Sequence, residues 1–323
     1  LTEAKTYYYV IKENSNAALP GVTYDMSEYQ VAVTVTDNLK GNLVAGTPVI
    51  TKKTTAGNEP VSAISFTNKY VPAEASLTID FVNKTLVGRS MANAEFSFGV
   101  FKHNQIIRNE STAESLGTNA SDGNVIFNKA LIFDKAGTYN YDILELTGDG
   151  DGITTDKAVY EVTVTVTDNN GQLEADYEIV GATGTEITFV NRYQVVGTDV
   201  IISGTKVLEG KELNNEEFSF TLYNSDNSWN QGTEVETVKN KADGSFAFNK
   251  IDYDAAGTHY YIVKEVKGDK GGVTYDATVY RIKVEITDDM LGQLHKSVSI
   301  FDGNNVSQTS IKFINGYAIS GTD

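Results

Sequence analysis

The stretch KAVYEVTVTVTDNNGQL, residues 157–173, decides the fold. Successive side chains of an extended strand point to opposite sides, so Val162, Val164 and Val166 share one face and Thr163, Thr165 and Thr167 the other. β-Branched residues in strict alternation, running into Asp, Asn and Gly, describe a half-buried strand entering a turn. The same phrase returns as MSEYQVAVTVTDNLKGNL (26–43) and ATVYRIKVEITDDMLGQL (277–294). Elsewhere helix formers are sparse, and Val, Ile, Thr, Tyr and Phe recur in short runs separated by Gly, Asn and Asp. The chain therefore reads as all-β.

The repetition extends on both sides of that strand. FVNKTLVGRSMANAEFSF (81–98) matches GTKVLEGKELNNEEFSF (204–220), and DGNVIFNKALIFDKAGTYNYDILEL (122–146) matches DGSFAFNKIDYDAAGTHYYIVKEV (243–266). The period is roughly 120 residues, a domain-sized repeat. Each unit closes on a strand with the same ending: ISFTNKY (64–70), ITFVNRY (187–193) and IKFINGY (311–317). The first copy has only its second half, since YYYVIKE (7–13) corresponds to the middle of the complete units, while YAISGTD (317–323) echoes YQVVGTD (193–199). The expected domains are residues 1–72, the C-terminal half of a repeat; 73–195, a complete repeat; and 196–323, a second complete repeat with the start of the next linker. The whole reads as a piece of a longer array.

Composition removes several functional classes. The 323 residues carry a formal net charge of -17, which repels phosphate backbones and anionic membrane surfaces, so nucleic-acid binding is not expected. The absence of cysteine excludes disulfides, thiolate catalysis and Cys-ligated zinc together. No apolar run approaches the length of a membrane-spanning helix, and LTEAKTYYYV at the start lacks the pattern of a secretion signal. No cofactor is expected.

Strand parity then places three polar residues where apolar ones belong. Tyr139, Tyr141 and Ile143 continue to Glu145 on one face, and Tyr261 and Val263 to Glu265. Ile187, Phe189, Asn191 and Tyr193 share a face, as do Ile311, Phe313, Asn315 and Tyr317, and Ile64, Phe66, Asn68 and Tyr70. Lys84 alternates in phase with Val82 and Leu86, and Lys206 with Ile202 and Leu208. Burying one such group alone costs several kcal/mol, so their joint recurrence suggests that they meet. Taken singly, an inward Asn is a common turn former and an inward Lys can snorkel to the edge. Taken together, burial would leave a neutral amine beside a protonated acid. Such an amine can attack the Asn side-chain carbonyl while the acid shuttles protons to departing ammonia, joining Lys to Asn once and without turnover.

This pattern resembles the isopeptide-linked immunoglobulin-like domains of Gram-positive surface proteins, specifically the streptococcal major-pilin type. The residues that carry it are K in NKTL and TKVL, E in YNYDILE and YYIVKE, and N in FVNRY and FINGY. The resemblance implies tandem immunoglobulin-like β-sandwich domains with intramolecular Lys-Asn bonds: Lys84–Asn191 beside catalytic Glu145, and Lys206–Asn315 beside catalytic Glu265. In the half unit Glu13 and Asn68 match but no lysine does, Lys5 and Lys12 lying on the Glu-bearing strand, so Asn68 is expected to keep its amide. Neither an LPxTG-like sorting signal nor a YPKN-like motif is present, which leaves pilus shaft and adhesin stalk both open. The implied setting is the cell-wall-anchored surface of a Gram-positive bacterium, the implied partners are neighbouring repeats of the same chain, and the fragment is expected to be monomeric.

Other signals point elsewhere. GDGDGITTD (148–156) lacks the acid spacing of an EF-hand and reads as a surface turn. His103, His259 and His295 share no metal-ligand spacing. Trp229, in YNSDNSWNQGTE, reads as pinning its own loop, and KHNQIIRNESTAESLGTN (102–119) is compatible with a short helix. A competing reading is a host-glycan or host-protein binding module using loops near 103–120 and 224–241. A turnover enzyme finds no recurring cleft residues.

Overall fold

The computed structural model describes residues 1–15 and 18–319. Its ordered elements are strands throughout, as the alternation requires. They form two compact units, one of Leu1–Thr85, Met91–Thr147 and Asp156–Phe189, the other of Leu86–Ser90, Gly148–Thr155 and Val190–Asp323.

The second unit shows how a complete repeat is built. A six-stranded sheet runs in the order Gln231–Lys239, Ser219–Ser225, Gly257–Glu265, Val279–Asp288, Leu294–Phe301 and Ser307–Gln308. A four-stranded sheet runs Ser245–Ala247, Ser203–Glu209, Ile311–Tyr317 and Val273–Thr274. Phe220, Leu222, Val263, Ile282 and Val284 from the first sheet bury against Leu208, Phe246, Ile311 and Phe313 from the second. This is a β-sandwich, and the alternating residues of its two inner faces make the core. Phe220 stacks on Phe246 with ring centroids 3.9 Å apart and lies 5.3 Å from Phe313. Each fully buried side chain of this kind is worth about 1.5–3 kcal/mol. The first and last long strands of the repeat are parallel neighbours, Lys206 opposite Phe313 and Leu208 opposite Asn315.

The first unit repeats the larger sheet as Val125–Phe127, Ser115–Asn119, Ser97–Lys102, Gly137–Glu145, Val159–Asn169 and Gln172–Ile179. Val162, Val164 and Val166 are buried and Thr165 and Thr167 exposed, as parity predicts. The half repeat contributes a sheet ordered Thr6–Lys12, Glu28–Asp37, Val49–Thr54 and Gly57–Pro60, with Leu43–Ala45 also pairing with Glu28–Asp37. Strand Thr6–Lys12 lies at the edge of this sheet, and Tyr8, Tyr9, Val10 and Ile11 are exposed on it. Its counterparts Gly137–Glu145 and Gly257–Glu265 are flanked on both sides.

Three local expectations change. Residues 103–114 form turns and bends rather than a helix, because Asp142 anchors the segment through His103 Nδ1, at 2.8 Å, and Arg108. Residues 231–239 form an edge strand of the larger sheet rather than a loop. In ISFTNKY only Lys69–Tyr70 is a strand, and Asn68 is exposed. Among the described residues, the strand that pairs with Ile311–Tyr317 in the last repeat, Ser203–Glu209, has no counterpart beside it. Of the YAISGTD phrase, residues 320–323 lie outside the described residues.

Candidate crosslinking site

In the last repeat Lys206, Glu265 and Asn315 come together in the sandwich. Lys206 points inward from the middle of Ser203–Glu209, in phase with buried Leu208, and is 2% exposed. Its Nζ lies 4.7 Å from the centre of the Phe218 ring, and its removal from water, which the ring face offsets only in part, disfavours the charged amine. Glu265 ends Gly257–Glu265, and Asn315 is completely buried on Ile311–Tyr317. The carboxyl of Glu265 bridges the other two: Oε2 accepts from Lys206 Nζ at 2.9 Å and Oε1 from Asn315 Nδ2 at 2.7 Å. The backbone N–H of Asp276 donates to Asn315 Oδ1 at 2.7 Å.

Burial pushes the Lys206 amine below its usual range, and the hydrogen bond and charge of Glu265 only partly oppose this. Burial likewise pushes Glu265 above the usual carboxylate range against the pull of Lys206. The two directions favour a neutral amine beside a protonated acid. Such a site holds a nucleophile, an amide carbonyl polarised by a backbone N–H, and one acid in contact with both nitrogens.

The first complete repeat reproduces its parts. Lys84 is 3% exposed, donates to Glu145 Oε2 at 2.7 Å, and has its Nζ 4.7 Å from the Phe96 ring centre and 5.9 Å from that of Phe98. Burial lowers its pKa as well, against the opposing hydrogen bond that it donates to Glu145. Asn191 is fully buried at the inward position parity assigns, between buried Phe189 and Tyr193.

The half repeat has the acid and the amide without the amine. Asn68 Nδ2 donates to Glu13 Oε1 at 2.6 Å, and the Asp25 N–H donates to Asn68 Oδ1 at 2.8 Å. Glu13 Oε2 is buried with no hydrogen-bond partner among the described residues. In the last repeat the corresponding oxygen receives the lysine.

The structure adds residues that the inward-face reading missed. Asp276 Oδ2 accepts from the N–H of Ile314 and Oδ1 from that of Thr278, fixing the strand just before Asn315. Asp25 does the same with Thr67 and Ser27, and hydrogen bonds led by the Ser27 hydroxyl hold its carboxyl at about 2. Asp156 Oδ1 accepts from Ala158 N–H in the same manner. The recurrence GVTYD (21–25), GITTD (152–156) and GVTYD (272–276) was the available signal. Phe96 and Phe218, which wall the lysines, open the repeated phrase FSF.

The remaining signals are accounted for by neighbours. Trp229 packs edge-on against Tyr260 at 5.3 Å, under Arg281, and so pins its own turn. Asp149 in GDGDGITTD accepts from both the N–H and the hydroxyl of Thr155. His103 is held above its usual range by the Asp142 hydrogen bond. His259 lies against the Tyr253 ring and His295 near Asp289.

The family model for the Spy0128-like isopeptide containing domain (FctA) matches the chain three times, over residues 1–71, 81–194 and 202–318. No curated protein matches in sequence. Among solved structures, the major pilin protein (T-13) of Streptococcus pyogenes is similar at 17% identity and TM-score 0.28, over 75% of this chain and 98% of that one. The T3.2 major pilin of the same species is 19% identical with TM-score 0.26, over 76% and 97%. The pilus adhesin SpaC of Lactobacillus rhamnosus GG, in its open conformation, is 14% identical with TM-score 0.25, over 99% of this chain and 44% of that one.

Proposed function

The chain belongs to the family of Spy0128-like isopeptide-containing domains, and on that premise we propose that it is a load-bearing stalk or shaft segment of a Gram-positive surface protein, stiffened by Lys-Asn bonds that it makes itself. Its repeats are residues 1–72, 73–195 and 196–323, and two of them carry a bond: Lys84–Asn191 beside Glu145, and Lys206–Asn315 beside Glu265. The observation that carries this reading is the single buried carboxyl of Glu265 touching both the amine of Lys206 and the amide of Asn315.

The chemistry follows from those contacts. Glu265 takes the proton from Lys206, and the neutral Nζ attacks Cγ of Asn315, whose oxygen is held by the Asp276 N–H. As the new Nζ–Cγ bond forms, Glu265 delivers that proton to Nδ2 and takes the second proton from Nζ; the Cγ–Nδ2 bond then breaks, ammonia leaves, and Glu265 is left protonated. The product is an uncharged amide in an apolar core, and the reaction consumes its own nucleophile. It is a single event of maturation, with no turnover.

The mechanical consequence comes from topology. Ser203–Glu209 and Ile311–Tyr317 are parallel neighbours, so tension on the two ends of the repeat would shear one past the other, and a covalent rung between them carries that load. Peptide mapping after proteolysis tests the assignment. The expected result is a branched peptide joining Lys206 to Asn315 and a second joining Lys84 to Asn191, with Asn68 recovered as an unmodified amide. Linear peptides containing free Lys206 and Asn315 would refute it.

A further inference from the structure

The tyrosines that end the first two NxY strands make a contact outside the crosslinking site. Within the first unit, the Tyr70 hydroxyl donates to Asp168 Oδ2 at 2.5 Å. Within the second, the Tyr193 hydroxyl donates to Asp288 Oδ1 at 2.6 Å. Asp168 and Asp288 begin the turns within the TVTDN and EITDD phrases, and each lies in the repeat that follows its tyrosine's own.

Two glycines make each joint possible. Gly171, at φ 92°, closes the turn that Asp168 begins, and a Cβ there would stand 2.6 Å from the Pro20 carbonyl and 2.9 Å from the Gly21 nitrogen. Gly292, at φ 87°, has the same relation to Gly152, with 2.7 Å to its Cα. A side chain at either place would separate the two backbones and break the pairing. Backbone bonds complete the joint: Ala73 N–H to Gly171 O and Val196 N–H to Gly292 O, both 2.8 Å. A cation lies over the Tyr193 ring, Arg89 at 4.9 Å.

Each half of this joint also occurs once without its complement among the described residues. Tyr317 ends the last NxY strand with Lys211 over its ring at 5.4 Å, and Gly272 lies beneath it at φ 78°. The Ala318 N–H donates to Gly272 O at 2.9 Å, as Gln194 does to Gly152. At the other end, Asp37 begins a turn of the same length as that of Asp288. Leu39 N–H donates to Asp37 Oδ1 as Met290 N–H does to Asp288 Oδ1, and Leu39 and Met290 both sit near φ 60°. Gly41, at φ 80°, corresponds to Gly292, and nothing lies within 4 Å of the place a Cβ would take; Leu39 beside it is exposed.

We propose that the Tyr317–Gly272 surface and the Asp37–Gly41 turn are the two halves of one docking joint, and that the occupant of each is another copy of this repeat presenting the opposite half. The internal joints Tyr70–Asp168 and Tyr193–Asp288 are its filled forms. Since the tyrosine lies two residues past the asparagine on the same strand, the joint passes load from the strand bearing the candidate crosslink straight to the neighbouring repeat.

Oxidative trapping in trans tests this, because the chain has no cysteine of its own. Gly271→Cys and Lys40→Cys are surface positions flanking Gly272 and Gly41, and Gly271 has open space around it. When the two variants are mixed in equal amounts and oxidised, the heterodimer is expected to exceed the statistical half of all disulfide-linked dimer. Adding Tyr317→Phe to the first variant, or Asp37→Asn to the second, is expected to return it to that half. A heterodimer at the statistical share with both side chains intact overturns the proposal. So does an excess that survives both substitutions.

Discussion

Replacing Asn315 by Ala is expected to destabilise the last repeat by about 4–5 kcal/mol, the chain-entropy value for a crosslink closing a loop of roughly 100 residues. For a domain of this size that corresponds to a Tm lower by roughly 15–20 °C in scanning calorimetry. Part of any loss would come from the hydrogen bond that Asn315 Oδ1 accepts from the Asp276 N–H, which bond formation leaves in place. Lys206→Met removes the same crosslink from its other end and keeps that hydrogen bond, while replacing a buried amine with an apolar chain of similar length. The Lys206→Met and Asn315→Ala effects are therefore expected to be strongly non-additive in the double variant, since the bond can be lost only once. Two small and additive effects would mean that no covalent link joined these strands.

The second large effect concerns Glu265. Its carboxyl is the only group seen in contact with both nitrogens among the described residues, so Glu265→Ala is expected to stop the reaction outright, leaving a protein heavier by one ammonia than its matured counterpart. The variant would also leave the Lys206 amine buried without its hydrogen-bond partner, which costs about 1–3 kcal/mol. Glu145→Ala is expected to do the same in the first complete repeat, where Lys84 depends on Glu145. A matured mass in the Glu265→Ala protein would remove that residue from the chemistry.

Much of this arrangement was legible in the sequence because the repeat is built of strands. A period of two assigns faces without any knowledge of tertiary structure, so Lys206, Glu265 and Asn315 could be placed inside from parity alone, and the burial along ITFVNRY follows that alternation residue by residue. Asp276 escaped the same reasoning. It lies in the short segment between strands, where no alternation applies, and it acts through its backbone N–H as well as its carboxyl. The segment 102–119 misled for a related reason: its polar composition permits a helix, and the deciding interactions with Asp142 are long-range. For Asn68, parity gave the right neighbour, Glu13, and the wrong exposure, because burial also needs a covering strand.

The joints between repeats were hidden in plain phrases. TDNNG and TDDMLG read as hairpin turns, which they are, and only the opposing Gly21 and Gly152 show why the turn glycine must also admit a second backbone. Likewise the tyrosine of NxY read as one more inward aromatic. Its hydroxyl reaches past its own sandwich to an aspartate.

The most direct test of the central claim is the intact mass of the purified chain. Two self-made bonds predict a mass lower than that of the sequence by two ammonias, with the half repeat, where no lysine reaches the Glu13–Asn68 pair among the described residues, contributing nothing. A mass equal to that of the unmodified sequence would contradict the account.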